Sequence, residues 1–158
     1  MKMNIKFRLN SEVIEVEVEP NLTLLDMLRD RLHVTSSKRS CEAGECGACT
    51  VLVDSEAINA CLKLAVSVDG CKVETIESLG AEELHPLQRH FVNLAASQCG
   101  ICTPGMILAA KAFLDQNPDP TFEEVKDGLS GNMCRCTGYV KPIQAVLAAA
   151  KEIRDGAR

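Results

Sequence analysis

The sequence predicts an α+β protein with a strand-rich first half and a helical second half. In the first half, apolar residues alternate with polar ones, as they do along half-buried β-strands. In the second half, apolar residues recur every three or four positions, which is the spacing of one face of an α-helix. Each half also carries one group of four cysteines. At 158 residues the chain can form two small domains, each close to the size at which an apolar core alone is marginal.

The first half is predicted to form a small mixed sheet with one helix on a face. Five short segments are rich in apolar or β-branched residues and bounded by turn residues, and they span residues 5–9, 13–18, 50–53, 57–60 and 72–76. The helix is expected over residues 23–32. Thr23 and Asp26 have the spacing of a capping box, and leucines form an apolar stripe behind them.

The second half is predicted to form four helices. Their core-facing stripes are, in order, Leu84, Leu87, Phe91 and Leu94; Met106, Ile107, Ala110, Phe113 and Leu114; Phe122, Val125 and Leu129; and Val140, Ile143, Val146, Leu147, Ala150 and Ile153. Thr103 is expected to cap the second helix, because Pro104 suits a first helical position. Thr121 and Glu124 form a capping box for the third. We place the domain boundary so that the domains are residues 1–78 and 79–158.

Charge and composition argue against several classes of function. The net charge is −5 and there is no run of Lys or Arg, so neither nucleic acid nor an anionic membrane is an expected partner. No stretch of about 18 apolar residues occurs, so no membrane span is expected. The first residues lack the apolar core of a secretory signal, which predicts a cytoplasmic location with reduced thiols. Disulfides would also leave one of nine cysteines unpaired.

The first cysteine group has the spacing of a [2Fe-2S] loop. Cys41, Cys46 and Cys49 follow the x4 and x2 spacing of plant-type ferredoxins, and Cys61 comes eleven residues later. A loop that wraps three thiolates around two irons has to turn sharply, and the glycines within it permit positive φ. Thiolates select soft metals and iron–sulfur clusters, so this group predicts a redox-active metal site.

The second group joins two pairs of cysteines. Cys99 and Cys102 precede the second predicted helix, and Cys134 and Cys136 lie between the third and fourth. Packing of these helices would bring the two pairs face to face. The N–H groups at the start of a helix would also favour an anionic cluster beside the first pair. A second four-thiolate site is therefore predicted, with Asn132 and neighbouring glycines providing turns.

Two structural zinc sites are the alternative that spacing alone leaves open, since zinc held by four cysteines is common. The x4-x2 triplet and the single-residue gap before Cys136 fit zinc less well than they fit clusters. No histidine stands near either group in the sequence. Cys71, the ninth cysteine, is expected to be a small buried apolar residue, with a catalytic thiol as the weaker alternative. Lys38 and Arg39 would either offset cluster charge or be solvated.

Three segments resemble one known family. They are residues 46–51 (CGACTV), 98–105 (QCGICTPG) and 131–139 (GNMCRCTGY). In this order they are similar to the iron–sulfur subunit of molybdenum hydroxylases, the xanthine dehydrogenase family. The resemblance covers nearly the whole chain and makes zinc a poor alternative. Ser40 and Ser55 depart from the family pattern, which often has glycine at both positions.

The resemblance implies a fold and a set of ligands. The first half would be a plant-ferredoxin-like β-grasp domain, with one [2Fe-2S] cluster on Cys41, Cys46, Cys49 and Cys61. The second half would be a four-helix domain, with another on Cys99, Cys102, Cys134 and Cys136. Gln98 and Cys136 match positions that contact the pterin of the molybdenum cofactor.

The resemblance also implies partners and a role. A large subunit would carry the molybdenum cofactor and a medium subunit would carry FAD, in a dimer of heterotrimers. This chain has no phosphate-binding or dinucleotide-binding motif and no catalytic constellation, so it is expected to relay single electrons. The whole enzyme is expected to hydroxylate a purine or N-heteroaromatic substrate. Carbon monoxide dehydrogenase, aldehyde dehydrogenase and 4-hydroxybenzoyl-CoA reductase are the alternatives, and a free-standing ferredoxin and a zinc module are rivals of other classes.

Overall fold

The computed structural model describes residues 2–80 and 83–156 and has the predicted α+β architecture. Five strands form one mixed sheet: β1 (Met3–Leu9), β2 (Glu12–Val18), β3 (Thr50–Val53), β4 (Glu56–Asn59) and β5 (Lys72–Glu74). Their order across the sheet is β2-β1-β5-β3-β4. The β1–β5 pair is parallel and the other neighbours are antiparallel. This is the β-grasp arrangement that the resemblance implies.

Buried apolar and exposed charged residues alternate along β1, so one face of the sheet packs against the first apolar core. Ile5, Phe7 and Leu9 are buried, whereas Lys6 and Arg8 between them are exposed. The predicted β3–β4 hairpin is also present, and Asp54 and Ser55 turn it with φ of 49° and 73°. Positive φ at both turn residues is the geometry of a type I′ turn, for which glycine is favoured. This explains why the family pattern often has glycine where this chain has Ser55.

The helix predicted over residues 23–32 is only partly α-helical. One α turn, α1 (Leu24–Asp26), is followed by a π turn at Met27–Arg31, in which the Leu32 N–H bonds to the Met27 carbonyl at 3.0 Å. The Thr23 cap is confirmed, since its hydroxyl accepts from the Asp26 N–H at 3.1 Å. Adjacent pairs of residues in this segment are fully buried, so its apolar face is wider than a regular stripe; they are Leu24, Leu25, Met27 and Leu28.

Strand β5 ends two residues earlier than predicted, at Glu74. The side chain of Asn10 replaces a neighbouring strand at this point: its Oδ1 accepts from the Thr75 N–H at 2.9 Å. Thr75 is fully buried, and the chain then enters a 3₁₀ turn at Ile76–Ser78. Asparagine side chains compete with sheet hydrogen bonds in this way, which ends the strand.

The second half contains the four predicted helices, α2 (Pro86–Asn93), α3 (Thr103–Gln116), α4 (Phe122–Gly128) and α5 (Val140–Gly156). They enclose a second apolar core that includes Leu87, Met106 and Val146. The capping box of Thr121 and Glu124 is confirmed. Within residues 2–80 and 83–156, no helix is both long and apolar enough to cross a membrane.

Several side-chain predictions for the helical half were wrong. Leu84 is 52% exposed because it precedes α2, and Phe122 is 41% exposed because it is the first residue of α4. Val140 and Ile153, near the two ends of α5, are also exposed. Thr103 is the first residue of α3 rather than its cap, and its hydroxyl lies 2.8 Å from that of Ser97. The N-cap position belongs to Cys102, whose side chain makes no capping bond.

Helix α3 joins the two halves. It packs against β3 as well as the other helices, and Leu52 of β3 belongs to the helical core. Gly105 in its first turn allows this approach, because a Cβ there would lie 2.3 Å from the carbonyl oxygen of Gly47. This contact is between backbones and has no flexible side chain that can move aside. The two halves therefore meet where Gly105 faces the first cysteine loop.

Gly105→Ala is expected to destabilise the chain, although alanine usually stabilises a helix interior. Forcing the methyl group against the Gly47 carbonyl should cost about 1–3 kcal/mol of unfolding free energy. Thermal and denaturant unfolding of the full chain measure this change. Gly156→Ala is the matched control, since a Cβ there meets no atom of the described residues within 4 Å. Equal stability of the two variants would contradict close packing at Gly105.

Candidate metal centres

The first cysteine loop owes its shape to residues with positive φ. Glu42, Gly44 and Gly47 have φ of 54°, 77° and 67°. A Cβ on Gly44 would lie 2.2 Å from the Leu62 side chain, and one on Gly47 would lie 2.4 Å from the Gly131 carbonyl oxygen. The loop thus turns sharply, as predicted from the cysteine spacing. Gly47 is required both by its positive φ and by its close contact with the helical half.

The four thiols of the first group come together as two pairs. The thiol of Cys41 interacts with that of Cys46, and the thiol of Cys49 interacts with that of Cys61. The Ala43 N–H lies 3.4 Å from the Cys41 sulfur, and this N–H and that of Cys46 lower the pKa of Cys41 to about 6. Burial raises the pKa of Cys49 to about 11. The loop therefore offers one thiol already stabilised as a thiolate and one enclosed in the core.

The second group shows the same arrangement in pairs. The sulfurs of Cys99 and Cys136 are 3.6 Å apart, and the thiol of Cys102 interacts with that of Cys134. Cys99 and Cys136 are exposed, whereas Cys102 and Cys134 are half-buried. Burial raises the pKa of Cys102 to about 12. The two sequence pairs, Cys99/Cys102 and Cys134/Cys136, therefore lie face to face as predicted. Each contact joins one cysteine of the first pair to one cysteine of the second.

Two hydroxyl groups after Cys134 form hydrogen bonds with that residue. The Thr137 hydroxyl lies 3.1 Å from the Cys134 sulfur and the Thr137 N–H lies 3.4 Å from it. The Tyr139 hydroxyl accepts from the Cys134 N–H at 2.7 Å. Burial alone would raise the pKa of Cys134, but the Thr137 donors outweigh it and the pKa is lowered. Charge-assisted bonds of this kind favour the thiolate form that binds metal.

The pairing of the thiols fits a two-iron cluster. In a [2Fe-2S] cluster, four cysteines bind two irons, so that two thiolates share each iron. Two thiolates on one tetrahedral metal, at bond lengths of about 2.3 Å, lie about 3.7 Å apart. The 3.6 Å between Cys99 and Cys136 matches this separation. Across residues 2–80 and 83–156, no three His, Cys, Asp or Glu side chains converge as ligands of a single ion.

One cavity touches both groups. Its volume is about 180 Å³, and it is lined by Cys46 of the first group and by all four cysteines of the second. Ile101 and Met133 also line it, and they are 48% and 60% exposed. Cys46 is thus the thiol of the sheet half that faces the second group.

Sequence reasoning missed the role of Asn132. It was assigned to a turn, but it is buried and its amide nitrogen donates to the Gly47 carbonyl at 3.0 Å. The next residue, Met133, donates its N–H to the Cys46 carbonyl at 2.9 Å. The two cysteine loops are therefore joined directly, across a contact between residues 85 positions apart.

The pair of residues expected at a pterin lies at the surface. The Gln98 amide donates to the Cys136 carbonyl at 3.0 Å, and both residues are exposed. They are adjacent to one another on the outer side of the second group. Both residues are therefore accessible from outside the chain.

The remaining sequence candidates have local structural roles. Arg39 forms ion pairs with Asp26 and Asp30, which ties the first loop to the helix before it. Lys38 is bonded to the Thr35 carbonyl. Cys71 is half-buried against the first core, and burial raises its pKa, so it behaves largely as the apolar residue that we expected. His85, which the sequence did not single out, caps α2, because its Nδ1 accepts from the Leu87 N–H.

Two family descriptions match consecutive parts of the chain. Residues 7–74 match the "2Fe-2S iron-sulfur cluster binding domain" and residues 75–147 match the "[2Fe-2S] binding domain". Together they cover the sheet half and most of the helical half. Each matched range contains one of the two groups of paired thiols.

Relatives are similar over nearly the whole chain. The small FeS subunit of nicotinate dehydrogenase from Eubacterium barkeri is 48% identical over 152 residues, covering 95% of this chain and 96% of the relative. A probable xanthine dehydrogenase subunit of Bacillus subtilis is 40% identical over 157 residues, covering 99% and 91%. The aldehyde oxidoreductase iron-sulfur-binding subunit PaoA of Escherichia coli K12 is 39% identical, covering 97% and 74%.

Solved structures have the same fold. Quinoline 2-oxidoreductase from Pseudomonas putida 86 superposes with a TM-score of 0.93 at 42% identity and covers 98% of both chains. The aldehyde oxidoreductase of Desulfovibrio gigas gives a TM-score of 0.93 at 39% identity, covering 99% of this chain but 18% of that longer one. The two halves thus occur together within a much larger polypeptide.

Thr137→Val is expected to lower the reduction potential of the cluster predicted at the second group. The change removes the hydroxyl donor to the Cys134 sulfur, and such donors stabilise the more negative reduced state. A lost hydrogen bond of about 1.4 kcal/mol corresponds to about 59 mV for one electron. A redox titration followed by EPR measures this shift in reduction potential. Thr35→Val, at an exposed position, should leave both potentials unchanged.

Proposed function

Because this chain belongs to the iron–sulfur subunits of the molybdenum hydroxylase family, we propose that it relays single electrons through two [2Fe-2S] clusters to a flavin. It is a subunit of an oxidoreductase. The observation that carries the proposal is the arrangement of eight thiols in two groups of four, with Cys46 of the first group and all four cysteines of the second lining one cavity. When bound, each cluster takes up and gives back one electron at a time.

We assign the ligands by group and by domain. The domain of residues 1–78 would hold the first cluster, and the domain of residues 79–158 would hold the second. The ligands are Cys41, Cys46, Cys49 and Cys61 for the first cluster, and Cys99, Cys102, Cys134 and Cys136 for the second. The two separate apolar cores support this division.

The partners follow from the family and from the exposed side of the second group. We propose a large subunit with the molybdenum cofactor, which meets Gln98 and Cys136, and a medium subunit with FAD. The exposure of both residues supports the first contact. The complex is proposed to be a dimer of heterotrimers in the cytoplasm, where the thiols stay reduced until they receive iron.

The substrate of the whole enzyme is proposed to be a purine or another N-heteroaromatic. Nicotinate, xanthine and quinoline, which appear in the names of three similar proteins, are all of this class. An aldehyde is the alternative supported by a relative, PaoA, at lower identity than the nicotinate enzyme. In this proposal the large subunit determines substrate specificity, and the residues of this chain serve electron transfer.

Purification under native conditions tests the proposal. We expect about four irons and four acid-labile sulfides per chain, since each [2Fe-2S] cluster has two of each. Two EPR signals should appear on reduction, and a large molybdenum subunit and a flavin subunit should copurify. Zinc in place of iron, or a single EPR signal, would contradict the cluster assignment. A chain that always elutes alone would instead favour a free-standing ferredoxin.

Single ligand substitutions should separate the two clusters. Cys46→Ser is expected to abolish the EPR signal of the first cluster and to leave that of the second. Cys102→Ser is expected to do the reverse and to weaken binding of the large subunit. Cys71→Ser is the matched control and should keep both signals, because Cys71 lies outside both groups. Loss of both signals from either ligand change would contradict separate sites.

A further inference from the structure

We propose that Asn132, a residue of the helical domain, is a positioning residue for the first cluster, which belongs to the other domain. This inference rests on the proposed function, because it takes the first thiol group to be a cluster site. Asn132 is 3% exposed and lies two residues before Cys134 of the second group. Its side chain nevertheless bonds only to the sheet half, at Gly47 and Thr50.

The chemistry of the contact fixes the orientation of the Asn132 amide. Its nitrogen lies 3.0 Å from the Gly47 carbonyl oxygen and 3.4 Å from the Thr50 hydroxyl. A carbonyl oxygen can only accept a hydrogen bond, so the nitrogen and not the oxygen of the amide must face it. Asn132 therefore acts as a donor toward the first loop.

The Asn132 bond is not needed to satisfy the Gly47 carbonyl. Thr50 already donates to that oxygen twice, from its N–H at 3.1 Å and from its hydroxyl at 2.7 Å. A carbonyl has two lone pairs, so Thr50 alone fills them. Removing the Asn132 donor leaves no orphaned backbone group on Gly47. Its effect should therefore be on the direction of the loop more than on the stability of the fold.

Two successive carbonyls of the first loop point toward the helical domain. The Cys46 carbonyl accepts from the Met133 N–H at 2.9 Å, and the Gly47 carbonyl accepts from Asn132. The N–H of a trans peptide points opposite to its C=O, so the N–H groups of Gly47 and Ala48 point away from the helical domain. These N–H groups lie between two ligands of the first group, Cys46 and Cys49. Asn132, together with Met133 and Thr50, thus fixes the direction of peptide dipoles beside the first cluster.

The test uses the full chain with both clusters and compares Asn132→Leu with Asn132→Asp. Leucine keeps the volume and removes the donor, whereas aspartate keeps the shape and turns an acceptor toward the Gly47 carbonyl. With a chelator present, the first EPR signal should disappear at least about tenfold faster in both variants, while the second changes less than about twofold. The midpoint of the first cluster in a redox titration should shift as well. Asn93→Leu, at an exposed end of α2, should change neither signal.

Three results would overturn the inference. Equal loss of both signals would mean that Asn132 only supports the fold, and loss of the second signal alone would mean that it acts through Cys134. An Asn132→Asp chain that behaves as the wild type would mean that the donor is not used. Should Asn132→Leu fail to fold, Asn132→Asp carries the comparison. Wild-type iron content is measured first, so that failure of the proposed function is recognised separately.

Discussion

The structure depends on the backbone carbonyls of Cys46 and Gly47 facing the helical half. Met133 and Asn132 donate to them, and Gly105 lets the first turn of α3 approach the same peptides. A loop that wraps a metal has its N–H groups turned inward, so its carbonyls need partners elsewhere. The helical half supplies those partners. The first metal loop is consequently complete only when the second half is folded against it.

Each group of thiols has an outer and an inner side. In the second group, the exposed Cys99 and Cys136 form one pair and the half-buried Cys102 and Cys134 form the other. In the first group, Cys41 is exposed whereas Cys49 is buried among the residues of the sheet core. Each group therefore has one side open to solvent and one side enclosed by the protein.

Local features of the site and fold could be predicted from the sequence. The cysteine spacing, the alternation in β1 and the capping box at Thr121 each involve residues a few positions apart, and all are present. Features set by distant residues could not be predicted. Asn132 has the composition of a turn residue, and its partner is 85 residues away. Strand β5 ends early because of Asn10, which lies 65 residues before Thr75. Phe122 has the pattern of a core residue, but the position of α4 leaves it exposed.

The absence of space for a side chain at Gly105 and at Gly47 also bears on how this pair of domains is inherited. Two surfaces that meet this closely tolerate few independent changes, because a Cβ at Gly105 would meet backbone atoms and one at Gly47 would meet the Gly131 carbonyl and the Asn132 side chain. Recombination that separated the halves would have to rebuild both surfaces at once. The two domains are therefore expected to be inherited together as one unit. The Desulfovibrio gigas enzyme, in which both halves form 18% of a single long polypeptide, has the organisation that such a fusion would produce.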